Sequence, residues 1–86
     1  LGFVTAVTGE GEAFNEARRW AEMILECSPM SIRATKQASM RGLDQAGVRA
    51  AHEGKYEAVK AMAKSEDFIE GPLAFAEKRS PQWKGR

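Results

Sequence analysis

The sequence has little of what small proteins use for extra stability. Its 86 residues contain one cysteine, Cys27, so no disulfide bond can form within the chain. No cluster of Cys and His suggests a structural metal site. A chain of this length buries only a modest fraction of its surface and is marginally stable by itself. We therefore expect the missing support to come from other chains or from a further part of the same protein.

An excess of one charge and long apolar runs are also absent. The formal net charge is +1, which argues against a dedicated nucleic-acid-binding protein. No apolar run approaches the ~18 residues that a bilayer-spanning helix needs, so we expect no membrane partner. The first residues lack the basic stretch, apolar core and cleavage site of a signal peptide. These absences together favour a cytoplasmic protein.

The beginning of the chain has the composition of a β-strand. Phe3, Val4 and Val7, together with two threonines, favour a strand over residues 1–8. A single strand is not stable without a sheet, and no second strand pattern follows. We therefore predict that residues 1–8 are the terminal strand of a core outside this sequence. The chain is then expected to be the C-terminal part of a longer protein.

The remainder predicts a mainly α fold with about four helical segments. A helix is predicted over residues 12–27, whose apolar positions recur with helical spacing: Phe14, Ala17, Ala21, Ile24 and Leu25. A second helix is predicted over residues 28–43, because Ser28 and Pro29 have the residue types of an N-cap and a first helical position. A third is predicted over residues 45–64.

Two residues disfavour the helices in which they stand. Gly54 lies in the middle of the predicted third helix and costs about 1 kcal/mol relative to Ala, which is tolerable if another backbone packs closely there. The last helix begins after Ser65, a suitable N-cap, but contains Pro72. Proline removes a backbone donor and clashes with the preceding turn. The helix is therefore either kinked at Pro72, or ends near Glu70 and restarts.

Isolated catalytic candidates are few. His52 has no nucleophile or second base at a supporting spacing, which favours a surface or packing role. Cys27 has no adjacent base and is expected to be a buried, inert thiol. Glu22 and Glu26, one helical turn apart, are typical of a solvated face. The turn TGEGE at residues 8–12 lacks the spacing of a phosphate-binding loop. The residues alone predict neither a catalytic set nor a metal site.

The basic end of the chain leaves two alternatives open. Four cations lie in the last nine residues, with Trp83 among them: Lys78, Arg79, Lys84 and Arg86. One alternative is a frayed, solvated C-terminus. The other is an anion-binding contact, in which Lys or Arg holds a phosphate and an aromatic ring covers a flat group.

Three stretches share the pattern of one protein family. The last 22 residues, SEDFIEGPLAFAEKRSPQWKGR, contain in order Ser-Glu-Asp, Glu-Gly, Ala-Phe, Glu-Lys-Arg, a proline, an aromatic and Gly-Arg. Residues 28–38, SPMSIRATKQA, contain a proline, an apolar residue and Thr-Lys, and residues 1–7 are LGFVTAV. Together they resemble the C-terminal segment of the crotonase superfamily, the enoyl-CoA hydratase/isomerase family. The last stretch resembles most its carnitinyl-CoA dehydratase-like members.

The resemblance implies a fold and an activity that depend on residues outside this sequence. Members of the family have a ClpP/crotonase-like core of repeated ββα units that binds acyl-CoA. There, two backbone amides stabilise a thioester enolate and one or two carboxylates do the acid/base chemistry. Residues 9–86 would then be a helical oligomerisation segment without a catalytic residue, a metal or a cofactor. The whole enzyme would hydrate or dehydrate the 2,3 double bond of acyl-CoA thioesters.

The resemblance also implies partners and contacts. The helices would join a homotrimer or a dimer of trimers, dock on the N-terminal core and close the acyl-CoA pocket. Lys78 matches a lysine near the CoA phosphates in some members, and Phe75 would lie near the pocket or an inter-subunit contact. The helix around Val59 would approach the adenine, although Val59 stands where an aromatic can occur. The alternative is a stand-alone helical interaction module without enzymatic activity.

Overall fold

The computed structural model describes residues 2–86 and is helical throughout its ordered elements. Five helices follow one another along these residues: α1 (Ala13–Leu25), α2 (Pro29–Gly42), α3 (Val48–Glu53), α4 (Glu57–Ala63) and α5 (Glu66–Ala76). The mainly α prediction is confirmed, with five helices in place of the expected four. None of the helices within this range has the length and apolar character needed to cross a bilayer.

The strand predicted at the beginning of the chain is not found. Leu1 lies outside the described residues, and residues 2–8 form no strand or bridge. Phe3 is 96% exposed and Val7 is 91% exposed. A strand requires a neighbour that accepts and donates its backbone hydrogen bonds, and residues 9–86 supply no such edge. The β-favouring composition of this segment is therefore unsatisfied within the part of the chain that the structure describes.

Helix α2 begins as its sequence predicts. The Ser28 Oγ accepts a hydrogen bond from the Met30 amide at 3.1 Å, and Pro29 occupies the first helical position. The cap satisfies one of the amides that a helix N-terminus leaves without an internal partner. Because Ser28 is buried, water has little access to its hydroxyl, and the Met30 amide supplies a hydrogen-bond partner instead. The predicted boundary between the first two helices is correct to within about two residues.

The helix predicted over residues 45–64 is instead two short helices, α3 and α4. The chain leaves the helical conformation at Gly54, whose ψ is 141°. The Tyr56 hydroxyl folds back and donates to the Ala51 carbonyl at 2.6 Å. A Cβ on Gly54 would lie 2.6 Å from that hydroxyl oxygen, so this turn needs glycine. The prediction of one continuous helix was wrong, because the chain leaves the helical conformation at Gly54. The close neighbour of Gly54 is the Tyr56 side chain rather than another backbone.

Helix α5 runs without interruption through Pro72. It spans Glu66–Ala76 with the proline inside it, so the alternative of a helix that ends near Glu70 and restarts is wrong. Ser65 caps it as predicted, since its Oγ accepts from the Phe68 amide at 3.2 Å. The same hydroxyl donates to the Met62 carbonyl at 2.7 Å, which fixes the corner between α4 and α5.

The helices pack around α2 but enclose almost no apolar core. Helix α2 contacts mainly α4 and also α3, and α4 contacts α5, whereas α1 has few contacts with the others. The amide of Ala58, in the first turn of α4, donates to the Gln37 Oε1 at 2.7 Å and so links α4 to α2. Among the described residues, the buried apolar side chains are Ala34 and Ala74 alone.

The surface area shows how open this arrangement is. The chain exposes 7416 Å², whereas a compact monomer of 9.5 kDa exposes about 5,000 Å². The radius of gyration is 16.2 Å, against about 12 Å for a compact chain of this length. The helices form a flat layer of 44 × 41 × 19 Å. A large apolar surface therefore remains available for other parts of a protein.

Candidate functional site

The candidate site is the C-terminal end of α5 together with the tail, residues 80–86, which folds back along that helix. Within the tail no helix or strand forms. Its position depends on hydrogen bonds from α5 and from the junction between α1 and α2. These contacts decide which of the predicted side chains are free to meet a ligand.

Asp67 is the main anchor of the tail and is only 3% exposed. Its carboxylate accepts from the Lys84 amide at 2.8 Å, the Gly85 amide at 3.0 Å and the Ser28 hydroxyl at 2.7 Å. The Asp67 amide also donates to the Arg86 carbonyl at 3.2 Å. Burial raises the pKa of this carboxyl, but the three hydrogen bonds outweigh that effect and hold the pKa below its ordinary value.

Glu70, one turn further along α5, binds the beginning of the tail. It accepts two hydrogen bonds from the Arg79 guanidinium, at 2.6 and 3.0 Å, and a third from the Gln82 amide at 2.7 Å. The Arg79 guanidinium and the Gln82 amide lower the pKa of Glu70 to about 2. The Arg79 Nε also donates to Glu77 at 2.6 Å. Arg79 is therefore held in ion pairs within the chain and is not a free cation.

The Trp83 side chain of the tail contacts a glycine of α5 and the end of α1. Its indole Nε1 donates to the Glu26 carbonyl at 2.8 Å. The ring lies against Gly71, because a Cβ at that position would be 3.3 Å from the Trp83 Cη2. The glycine thus leaves room on α5 for the indole. The Trp83 indole thus packs and hydrogen-bonds within this chain.

Lys78 directly follows Glu77, the C-cap of α5. Its φ is +54°, the left-handed conformation that usually falls to glycine. The Lys78 amide donates to the Phe75 carbonyl and the Arg79 amide to the Ala74 carbonyl, which together form a Schellman cap. Lys78 is exposed, and Phe75 is 87% exposed. The two predicted contact residues therefore stand together at the end of the helix.

The remaining cations of the basic end are paired. Lys84 lies 2.9 Å and Arg86 3.2 Å from carboxylate oxygens of Glu66. The tail is therefore held by hydrogen bonds and ion pairs rather than frayed, and the anion-binding alternative stays a prediction. Of the four cations, Lys78 has no ion pair among the described residues. The end of α5 thus offers a ligand one ammonium group and, three residues earlier in the chain, one exposed aromatic ring.

The other candidate residues lie apart from this end of α5. His52 is exposed on α3, as expected for a surface histidine. Cys27 is exposed, so the prediction of a buried thiol was wrong: it follows α1, which has few contacts with the other helices. Val59 is half-buried on α4, in an open groove that also includes Tyr56 and Lys60. The lining of that groove includes neither Phe75 nor Lys78.

Sequence reasoning missed Asp67 and Glu70. Asp67 has the position of an acid that complements the positive end of a helix dipole, which explains it without any partner. Its actual partners lie 17, 18 and 39 residues away in the sequence. The available signal was the pairing of an acidic helix, Glu66 to Glu70, with a basic tail. That pattern predicts ion pairs, but it does not predict which of the cations has no acidic partner.

The sequence as a whole matches known proteins. The family described as Enoyl-CoA hydratase/isomerase matches residues 1–86. The carnitinyl-CoA dehydratase of Salmonella arizonae is 37% identical over 87 aligned residues, covering 98% of this chain and 33% of that protein. The carnitinyl-CoA dehydratase of Escherichia coli is 38% identical over 89 aligned residues, covering 99% of this chain and 34% of that protein.

Solved structures show the same helical arrangement. An enoyl-CoA hydratase/isomerase from Mycobacterium paratuberculosis superposes with a TM-score of 0.88 at 27% identity, over 99% of this chain and 33% of that one. An enoyl-CoA hydratase from Mycobacterium tuberculosis gives 0.87 at 29% identity, over 100% of this chain and 34% of that one. The chain spans about a third of the length of the curated relatives it matches.

Proposed function

This chain belongs to the enoyl-CoA hydratase/isomerase family, and on that premise we propose that it is the C-terminal helical segment of an enzyme acting on acyl-CoA thioesters. The enzyme hydrates or dehydrates the 2,3 double bond through a thioester enolate. Carnitinyl-CoA is the substrate class that the curated relatives' names support. The match over all 86 residues supports this proposal over a stand-alone helical interaction module.

The observation that carries the proposal is the open, apolar layer. The described residues expose about 2,400 Å² more than a compact chain of equal mass. Large side chains on α1 and α5 contribute to this surface, among them Phe14 at 76%, Leu25 at 73% and Ile69 at 70% exposure. Exposed apolar surface beyond scattered single residues is typical of interfaces. We infer that the catalytic core of the enzyme and neighbouring subunits of a trimer cover them.

The end of α5 is the part of this segment that meets the CoA ester. Lys78 supplies a cation without an internal ion pair, and a lysine ammonium is a common partner of phosphate oxygens. Phe75, exposed beside it, provides an apolar surface for the ligand or for a neighbouring subunit. The oxyanion hole and the acid/base carboxylates belong to the rest of the enzyme. The segment contributes binding and closure, and neither proton transfer nor enolate stabilisation.

The test is Lys78→Ala in the full-length enzyme, assayed by hydration of crotonyl-CoA and dehydration of carnitinyl-CoA. Loss of one charge-assisted hydrogen bond should raise KM by about tenfold, with kcat little changed. A change in KM alone indicates a contact made equally in the ground state and the transition state. Lys64→Ala, which removes an exposed lysine at the C-cap of α4, serves as the matched control. An unchanged KM in Lys78→Ala would remove the CoA contact from the proposal.

A further inference from the structure

The conformation of Lys78 requires support from its neighbours. A residue other than glycine with φ of +54° is strained, and such strain persists only where surrounding contacts impose it. The Schellman cap fixes the backbone on the helix side of Lys78. On the other side, the chain continues through Arg79 into the tail, where no helix or strand holds it.

Glu70 supplies the contacts on that second side. Its side chain is 18% exposed, and it holds both the Arg79 guanidinium and the Gln82 amide. These partners come one and four residues after Lys78, so the carboxylate fixes the segment that leaves the left-handed residue. The other anchors act further along, since Asp67 binds the amides of Lys84 and Gly85.

The same contacts keep the Lys78 ammonium free of internal partners. Glu77 directly precedes Lys78 in the chain, and Glu70 holds the segment that follows it. Arg79 engages both, with Nε at 2.6 Å from Glu77 and Nη1 at 2.6 Å from Glu70. A guanidinium forms such bidentate and forked pairs better than an ammonium does, because its donors are fixed in one plane. Arg79 therefore engages both of these acids, and among the described residues no carboxylate is paired with Lys78.

We propose that Glu70, together with Arg79, is a positioning residue for CoA-ester binding: the pair holds Lys78 in its left-handed conformation and leaves its ammonium available to a CoA phosphate. The proposal rests on the proposed function, since it assumes that Lys78 contacts the ester. Glu70 itself does not touch the substrate. It acts on affinity through the conformation and the charge of its neighbour.

The first experiment compares Glu70→Gln with Glu66→Gln in the full-length enzyme. Both changes remove one negative charge from α5, but Glu66 holds only exposed side chains of the tail, Lys84 and Arg86. Glu70→Gln should raise KM for crotonyl-CoA about threefold, the effect of weakening one charge-assisted contact, while Glu66→Gln leaves it unchanged. With crotonyl-pantetheine, which lacks the nucleotide phosphates, KM should be the same in all the enzymes.

A double variant shows whether the effect passes through Lys78. Glu70→Gln should add nothing to KM once Lys78→Ala is in place, because coupled residues are not additive. Additive effects would overturn the positioning role. Arg79→Lys, which keeps the charge but loses the bidentate pair, should reproduce the KM increase of Glu70→Gln. It serves as the second variant if Glu70→Gln fails to fold.

Trypsin cleavage after Lys78 gives a readout independent of the ligand. Glu70→Gln should speed cleavage at this bond, because release of Arg79 and Gln82 frees the segment, and Glu66→Gln should not. Unchanged cleavage would overturn the positioning role. A KM raised in Lys78→Ala but not in Glu70→Gln overturns the positioning role alone. A KM unchanged in Lys78→Ala overturns the proposed CoA contact, and the positioning role with it.

Discussion

The two ends of this chain differ in how their positions are fixed. In the N-terminal region, residues 2–27, no residue is buried and α1 has few contacts with the other helices. In the C-terminal region, residues 65–86, three residues are buried: Ser65, Asp67 and Ala74. Two of these three are polar, and both take part in hydrogen bonds. The C-terminal region is thus fastened by polar contacts rather than by an apolar core.

The difference concerns the kind of contact that stabilises each region. Helix α1 is stabilised locally by ion pairs one turn apart, such as Arg18 with Glu22 at 3.0 Å and Arg19 with Glu16 at 2.6 Å. Exposed pairs of this kind contribute only about 0.3–0.5 kcal/mol each. Contacts with the other described helices therefore do little to fix the position of α1. The end of α5, in contrast, is held by hydrogen bonds and ion pairs within this chain.

The largest expected effect comes from Asp67→Ala in the full-length enzyme. The change removes the acceptor of three hydrogen bonds and leaves the Ser28 hydroxyl and the amides of Lys84 and Gly85 without their partner. The thermal midpoint should fall by several degrees, measured by differential scanning calorimetry. Hydrogen exchange at residues 83–86 should become faster.

Asp67→Asn is the matched control for this change. It keeps the shape of the side chain and one acceptor oxygen, so its midpoint should lie between those of the wild type and Asp67→Ala. If Asp67→Ala unfolds at the wild-type temperature, the tail is not held by this carboxylate, and the contrast between the two ends of the chain is wrong.

The next effect concerns the N-terminal region. Phe14→Ser with Leu25→Ser should weaken subunit assembly of the full-length enzyme, because each large apolar side chain covered at an interface contributes about 2 kcal/mol. Sedimentation velocity at decreasing concentration should show dissociation earlier than in the wild type. Arg18→Ala, on the same helix and 70% exposed as a side chain, provides the control. Unaltered sedimentation and thermal stability would show that α1 is not covered.

A smaller effect is expected from Lys78→Gly. Glycine adopts positive φ without steric cost, so the change should increase the free energy of unfolding by about 1 kcal/mol while it raises KM for crotonyl-CoA. Urea denaturation and steady-state kinetics measure the two quantities. Stability and affinity should move in opposite directions. A loss of both would mean that the Lys78 side chain supports the fold.

The smallest effect is a pH dependence. The Arg79 guanidinium and the Gln82 amide lower the pKa of Glu70 from 4.5 to about 2. A lowered pKa means that the stabilising contribution is complete above pH 4.5 and is lost as the pH falls towards 2. The difference in urea midpoint between the wild type and Glu70→Gln should therefore narrow as the pH decreases over this range. A constant difference would show that Glu70 is not the group responsible.

Helix boundaries that depend on local sequence could be predicted. Helices α1 and α2 follow from apolar spacing and from Ser28 and Pro29, and α5 begins where Ser65 indicates. The break between α3 and α4 could not be predicted, because it depends on how the Tyr56 side chain folds over Gly54. The strand over residues 1–8 was predicted from composition, but strand formation depends on a partner edge.

The candidate site was predicted only in part, for a related reason. The sequence shows four cations at the end of the chain, but their availability depends on acids elsewhere. Lys84 and Arg86 pair with Glu66, and Arg79 pairs with Glu70 and Glu77. That Lys78 has no such partner follows only from the folded positions of the others. Its contact with CoA stays a prediction.

Hydrogen–deuterium exchange tests most directly whether the end of α5 contacts the CoA ester. The full-length enzyme is compared with and without saturating butyryl-CoA, which lacks the double bond to be hydrated. Binding should slow exchange at residues 75–82 and leave it unchanged at the tail amides of residues 84 and 85. Unchanged exchange at residues 75–82 in a demonstrably occupied enzyme would contradict this contact.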